Sequence, residues 1–97
     1  DELEWEDLEP LLTQDQVISH NETSRWAYYL NENEINLTIN GEKINFTQSE
    51  SNKSLSILLA NHRHTELSSI AGMLANDECQ DLLLNLFNSN HLYFNED

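Results

Sequence analysis

An alternating hydrophobic pattern interrupted by Asn-Gly constrains the fold of this 97-residue chain more than any other feature. Apolar residues occupy alternate positions on both sides of Asn40-Gly41: Ile35, Leu37, Ile39, Ile44 and Phe46. Asn-Gly favours a two-residue type I′ turn, because both residues tolerate positive φ. Such a loop pairs Leu37 with Ile44, so the apolar residues of both strands meet on one face. We predict a β-hairpin over residues 35–46, preceded by an aromatic strand at 25–30.

Helical periodicity predicts three short helices after the hairpin. Leucines at i, i+3 and i+4 spacing indicate the first helix from residue 55 onward, with Ser51 or Asn52 as its N-cap. The second helix is expected to follow Thr65 as N-cap. Gly72 within it costs about 1 kcal/mol relative to Ala, unless a neighbouring helix must approach closely there.

The third helix is predicted from Asp77 to about Ser89, with Gln80 completing a capping box and Asn90 in the left-handed terminating position. His91–Phe94 alternates and predicts a short final strand. The predicted class is α+β and winged-helix-like, with a β-hairpin, three short helices and a C-terminal strand.

The chain is predicted to divide into an acidic lead-in segment, 1–19, and a winged-helix-like domain, 20–97. The first nine residues hold six of the 18 acidic residues. A short helical turn is expected to begin at Pro10, where a missing N–H costs nothing. The chain opens at Asp1 rather than Met, which suggests a fragment or a processed form.

The charge balance argues against two classes of partner. Four Lys and Arg against 18 Asp and Glu give a net charge of −14. Nonspecific binding to nucleic acid needs basic residues that replace counterions, and docking on an anionic membrane needs them as well. We therefore expect neither nucleic acid nor membrane as a partner. One cysteine, Cys79, allows no internal disulfide, and we expect a reducing, cytoplasmic location.

Five short sequences follow one another at 24–29, 39–42, 58–63, 86–88 and 92–97: SRWAYY, INGE, LLANHR, LFN and LYFNED. In this order they resemble the C-terminal winged-helix region of bacterial JmjC/cupin-type ribosomal oxygenases, over roughly residues 20–97. Members of that family are Fe(II)- and 2-oxoglutarate-dependent protein hydroxylases. The bacterial ones act on an arginine of a large-subunit ribosomal protein.

The resemblance implies a non-catalytic accessory domain that contributes stability and protein–protein contacts. Its implied partners are the rest of the parent enzyme and a ribosomal protein, and Fe(II) and 2-oxoglutarate belong to the parent. The family's iron site pairs His-x-Asp/Glu with a distant His. The triplet His64-Thr65-Glu66 lies in the predicted helix–turn–helix segment instead of a cupin strand. No catalytic, cofactor-binding or metal-binding residue is therefore carried over.

The candidate partner-contact residues are Trp5, Trp26 and Arg63. Interfaces favour tryptophan, although Trp26 lies in a predicted strand and is also suited to a core. Arg63 is one of two arginines in an acidic chain, and we expect it to pair with a carboxylate.

His62 and His64 flank Arg63 and suggest a metal site, but a helix C-terminus also favours cationic residues. Cys79 near a helix start suggests a nucleophile, yet its acidic neighbours raise a thiol pKa.

An alternative function comes from the charge alone. A free-standing acidic inhibitor that mimics nucleic acid would use dense carboxylates to bind a basic protein. A nucleic-acid mimic is expected to spread its carboxylates over its surface, whereas this chain concentrates six of its 18 acidic residues in the first nine positions. DNA binding by the third helix is not expected, because residues 77–90 contain no Lys or Arg.

Overall fold

The structure, a computed structural model, describes residues 2–13, 16–21, 23–47 and 49–94. The last three residues of the C-terminal motif, 95–97, lie outside the described residues. The described helices are α1 (Trp5–Leu8), α2 (Glu50–Asn61), α3 (Leu67–Ile70) and α4 (Asp77–Asn88), with 3-10 turns at Glu9–Leu11 and Met73–Ala75. The described strands are β1 (Val17–Ser19), β2 (Trp26–Leu30), β3 (Glu34–Ile39), β4 (Glu42–Thr47), β5 (His64–Glu66) and β6 (Tyr93–Phe94).

The predicted hairpin is confirmed as strands β3 and β4, which belong to an antiparallel sheet of order β2-β3-β4. Leu37 lies opposite Ile44, as the two-residue loop requires. Asn40 and Gly41 have φ of 53° and 89°, which is the positive-φ pair of a type I′ turn. Leu37 is fully buried and Ile44 is buried, so the apolar face of this sheet points inward.

The core lies between this sheet and helices α2 and α4. Helix α4 contributes most to it, through five buried side chains: Cys79, Leu82, Leu83, Leu86 and Phe87. Leu55 and Leu59 of α2 pack into the same cluster. Burying each leucine stabilises the fold by about 1.5–3 kcal/mol relative to exposure. Helices packed against antiparallel strands confirm the predicted α+β, winged-helix class.

Helix starts differ from the predictions by one to several residues. Helix α2 is capped by Ser49, whose side chain accepts from the N–H of Asn52, instead of by Ser51 or Asn52. Asn52 is buried within the helix, and its Nδ2 donates to the Thr47 carbonyl oxygen at 2.9 Å. The helix starts about one turn before its apolar stripe, so the residue that caps it, Ser49, also lies earlier in the chain than the predicted caps.

Helix α4 is capped by Asn76, whose Oδ1 accepts from the N–H of Glu78 at 2.8 Å, and the predicted Asp77 cap is wrong. The predicted capping box at Gln80 is also wrong, because the Gln80 side chain donates to the Leu74 carbonyl oxygen at 2.8 Å. Asn90 has a φ of 64°, which confirms the left-handed terminus.

A second antiparallel sheet, of order β5-β1-β6, was not predicted. Thr65, the predicted N-cap, lies instead in β5 and pairs with Ile18 of β1. The predicted helix over 65–74 is therefore reduced to α3 and a 3-10 turn at Met73–Ala75. Pairing with β1 replaces the predicted helix start at Thr65, because the pairing buries Ile18 and Thr65 together. The final strand is shortened to Tyr93–Phe94, and Phe94 pairs with Ile18.

Residues before position 20 pack into the same core. The helical turn starts at Trp5 rather than at Pro10, which lies in the following 3-10 turn. Leu8 has no exposed surface, and β1 is the central strand of the second sheet. The division at residue 19 stays a prediction, although the core draws on both sides of it.

The two glycines are expected to respond oppositely to alanine. Gly41 has a φ of 89°, where an L side chain is strained, so Gly41→Ala is expected to destabilise the fold by about 1–2 kcal/mol. Gly72 has a φ of −66° and no described atom within 4 Å of an added Cβ, so no helix approaches it closely. Gly72→Ala is expected to stabilise the fold by up to about 1 kcal/mol. Thermal unfolding of both variants tests the pair, and a stabilising Gly41→Ala would contradict the turn assignment.

Candidate protein-contact surfaces

Trp26 is half-buried on β2 and packs against the core. Its ring stacks on His20, with centroids 4.8 Å apart and planes 29° from parallel. The Nε1 of Trp26 and the Nε2 of His20 are both buried and have no hydrogen-bond partner among the described residues. Trp26 therefore has the core role that its strand allows, and its predicted partner contact stays a prediction.

Arg63 is exposed and lies in a small polar cluster at the start of β5. Its Nε donates to the Nε2 of His64 at 3.2 Å. The other ring nitrogen of His64, Nδ1, lies 2.6 Å from the Ser19 Oγ. The Arg63 carbonyl oxygen accepts from the backbone N–H of His20 at 3.0 Å. Arg63 and Trp26 thus share His20 as a contact residue.

Trp5 lies apart from the other two candidate residues, on a helix that packs against α4. The end of α4 holds this segment through Asn88, which accepts from the N–H of Leu3 at 2.8 Å and donates to its carbonyl oxygen at 3.0 Å. Trp5 lines a shallow surface pocket of ≈ 350 Å³ together with Leu12 and Leu74. The structure therefore does not gather Trp5, Trp26 and Arg63 into one site.

The histidines next to Arg63 have structural roles. The Nδ1 of His62 lies 3.0 Å from the carbonyl oxygen of Leu58, which supports its interpretation as a residue that satisfies a helix C-terminus. Both ring nitrogens of His64 are engaged, so the triplet His64-Thr65-Glu66 does not fit the iron ligation of the oxygenase family. A second triplet begins at His20, but its Glu22 lies outside the described residues. Among the residues that are described, no three His, Cys, Asp or Glu side chains converge as metal ligands.

Cys79 has the environment of a core residue. Its side chain has no exposed surface, and it belongs to the hydrophobic cluster. Burial, and to a smaller extent the charge of Glu78, raises the pKa of the Cys79 thiol. Because the thiolate is the nucleophile, a buried and protonated thiol supports the interpretation of Cys79 as inert.

The outward side of helix α4 is acidic. Asp77, Glu78 and Asp81 are all exposed on its first turns. In a DNA-binding winged helix, a helix of this kind carries basic and amide side chains to bases and phosphates. Carboxylates there repel phosphates, and the absence of a nucleic-acid partner stays a prediction.

An apolar groove lies between α2 and α3, with a volume of ≈ 460 Å³. Its lining includes Ile57, Leu58, His62, Ser69 and Met73. Leu58 and Met73 also pack against the core, whereas Ile57 is half-buried outside the core cluster of the described residues. The predicted helical stripe did not include Ile57, because it projects from a neighbouring side of α2. In the sequence, the only sign of this groove was an isoleucine outside the predicted apolar stripe of α2.

Strand β2 exposes aromatic side chains along one edge of the first sheet. Tyr28 is 40% exposed and Tyr29 is 66% exposed, on opposite faces of the strand. In the sequence, apolar residues occupy both the odd and the even positions of 26–30. Successive side chains of a strand point to opposite faces, so the residues of either the odd or the even positions had to face outward. This signal was present in the strand, although the preference of interfaces for tryptophan pointed to Trp26 alone.

Within the described ranges, no helix has both the length and the apolar content that crossing a membrane requires. No curated protein and no solved structure shows a significant match to the chain. A family model described as ROXA-like winged helix matches residues 1–93, which includes the lead-in segment as well as the hairpin and the helices. The chain therefore belongs to the ROXA-like winged-helix family, whose domains are accessory parts of ribosomal oxygenases.

Proposed function

We propose that this chain is a non-catalytic accessory domain that stabilises a ribosomal-protein hydroxylase and makes protein–protein contacts within it. The Fe(II)- and 2-oxoglutarate-dependent chemistry then takes place in another part of the parent enzyme. Its partners are the rest of that enzyme and a ribosomal protein. Family membership favours this role over that of a free-standing acidic inhibitor.

The observation that carries the proposal is the apolar groove between α2 and α3. Permanent interfaces are more hydrophobic than transient ones and bury apolar side chains at their centre. Ile57 offers such a side chain, since it has no role in the core of the described residues. We propose that an apolar segment of the parent enzyme packs into this groove.

A matched pair of serine variants tests this proposal in the full-length oxygenase. Ser68 and Ser69 are both exposed in helix α3, but only Ser69 lines the groove. Ser69→Glu is expected to weaken the interface by about 1–3 kcal/mol, because a charged carboxylate would lose its hydration when the interface covers the groove. Ser68→Glu introduces the same charge one residue away and is expected to change little.

The measurement is the thermal unfolding temperature of the full-length enzyme carrying each variant. A lower temperature for Ser69→Glu alone supports the proposal. Equal temperatures for the two variants would place the groove outside any interface and would contradict it.

A further inference from the structure

The outer edge of β2 carries backbone groups that form no backbone hydrogen bond with any other described residue. Arg25 and Asn31 flank β2: the Arg25 carbonyl oxygen accepts from the N–H of Asn40, and the N–H of Asn31 donates to the Glu34 carbonyl oxygen. Bonding alternates along an antiparallel pair, so Ala27 and Tyr29 also face β3. The N–H and C=O groups of the intervening residues, Trp26, Tyr28 and Leu30, therefore point away from the sheet. Among the described residues, none of these groups forms a backbone hydrogen bond.

This edge also lacks the features that normally protect an exposed strand. Edge strands are usually guarded against pairing by charged side chains, proline or bulges. The opposite edge of the sheet, β4, carries Glu42 and Lys43. Strand β2 has no charged residue, no proline and an uninterrupted five-residue register with β3. An unguarded edge with exposed tyrosines is suited to accept another strand.

We propose that the edge of β2 binds an extended, lysine- or arginine-rich protein segment as a fourth strand of the sheet. The alternate spacing of the outward groups fits an extended backbone and excludes a helix. This inference rests on the proposed role as a protein-contact domain, but it concerns a different surface from the groove.

Charge selects a basic segment over a second copy of this chain. Two copies would each bring a net charge of −14 to the interface and would repel. At the C-terminal end of β2, Glu32 and Glu34 are exposed and available to basic side chains. The faces of Tyr28 and Tyr29 attract the same cations.

The test uses a capped seven-residue peptide of alternating lysine and valine, added to the 97-residue chain. Amide hydrogen exchange is measured residue by residue. In the free protein, the N–H groups of Ala27 and Tyr29 are expected to be protected and those of Trp26, Tyr28 and Leu30 to exchange fast. The peptide is expected to slow exchange at the latter three positions. A matched peptide of alternating glutamate and valine is expected to give no protection.

Two proline variants separate strand addition from general attraction between charges. Tyr28→Pro removes an outward N–H without removing a bond to β3, and Asn45→Pro does the same on the outer edge of β4. Tyr28→Pro is expected to weaken peptide binding by on the order of 2- to 10-fold relative to Tyr28→Ala, which keeps the N–H. Asn45→Pro is expected to bind like the unaltered chain.

Protection of Trp26, Tyr28 and Leu30 in the unaltered chain, together with its loss at Trp26 and Leu30 in Tyr28→Pro, supports the inference. Equal binding of the two peptides, or binding without new protection, overturns it. Protection that grows with protein concentration in the absence of peptide would identify a second copy as the occupant and would also overturn it. None of these outcomes depends on the groove, so the proposed function can fail or stand separately.

Discussion

Replacing Leu37 with Ala is expected to lower the free energy of unfolding by about 2–5 kcal/mol. Leu37 has no exposed surface and lies at the centre of β3, the middle strand of the first sheet. It is flanked by Tyr28 on β2 and Ile44 on β4. Its removal leaves a cavity between the sheet and the helices. Because β3 is hydrogen-bonded to β2 on one side and to β4 on the other, the strand cannot easily shift to fill that cavity. Small domains have about 5–15 kcal/mol of stability in total, so the loss is a large fraction.

Urea unfolding measures this loss as a lower midpoint with an unchanged slope. Thr38→Ala is the control, because Thr38 is the next residue of the same strand and points to the opposite face. It is expected to cost at most about 1 kcal/mol, the range of strand propensities. Equal losses for the two variants would contradict the assignment of the inward face.

Leu8→Ala is expected to produce a loss of similar size, about 2–5 kcal/mol, although it lies in the acidic segment. Leu8 is fully buried in the main core cluster, whereas Leu11, three residues later, is 50% exposed. Leu11→Ala is therefore expected to change stability by no more than about 0.5 kcal/mol. Chemical unfolding of the two variants compares them directly. A mild effect at both positions would show that residues 1–19 are a detachable lead-in.

The hairpin and helix α4 could be predicted because their signals are local. Positive φ at Asn40 and Gly41 is a property of those two residues, and it fixes the register of the strands beside them. The apolar stripe of α4, with Leu82 and Leu86 one turn apart, likewise needs no distant partner.

The second sheet could not be predicted because its pairings join distant parts of the chain. Ile18 pairs with Thr65 and Phe94, which are 47 and 76 residues away. Strands of two or three residues are too short to show alternation, and Thr65 before a leucine looks like a helix cap in isolation. Tertiary pairing overrode that local preference.

The contact surfaces could be predicted only in part for the same reason. Trp26 could be predicted as a contact residue because interfaces favour tryptophan. Its stacking on His20, however, depends on how β1 and β2 lie in three dimensions. The groove requires α2 and α3 to be adjacent, and neither helix reveals it alone. The edge of β2 depends on the strand order, which places β2 outside the hairpin.

The most direct test of the accessory role compares Ser69→Glu and Ser68→Glu in two settings, the 97-residue chain and the full-length oxygenase. In the chain alone, both side chains are exposed, and we expect the two variants to unfold at the same temperature. In the full-length enzyme, we expect Ser69→Glu to unfold at a lower temperature than Ser68→Glu. The same temperature for both variants in the enzyme would contradict the claim that this domain stabilises its parent through the α2–α3 groove.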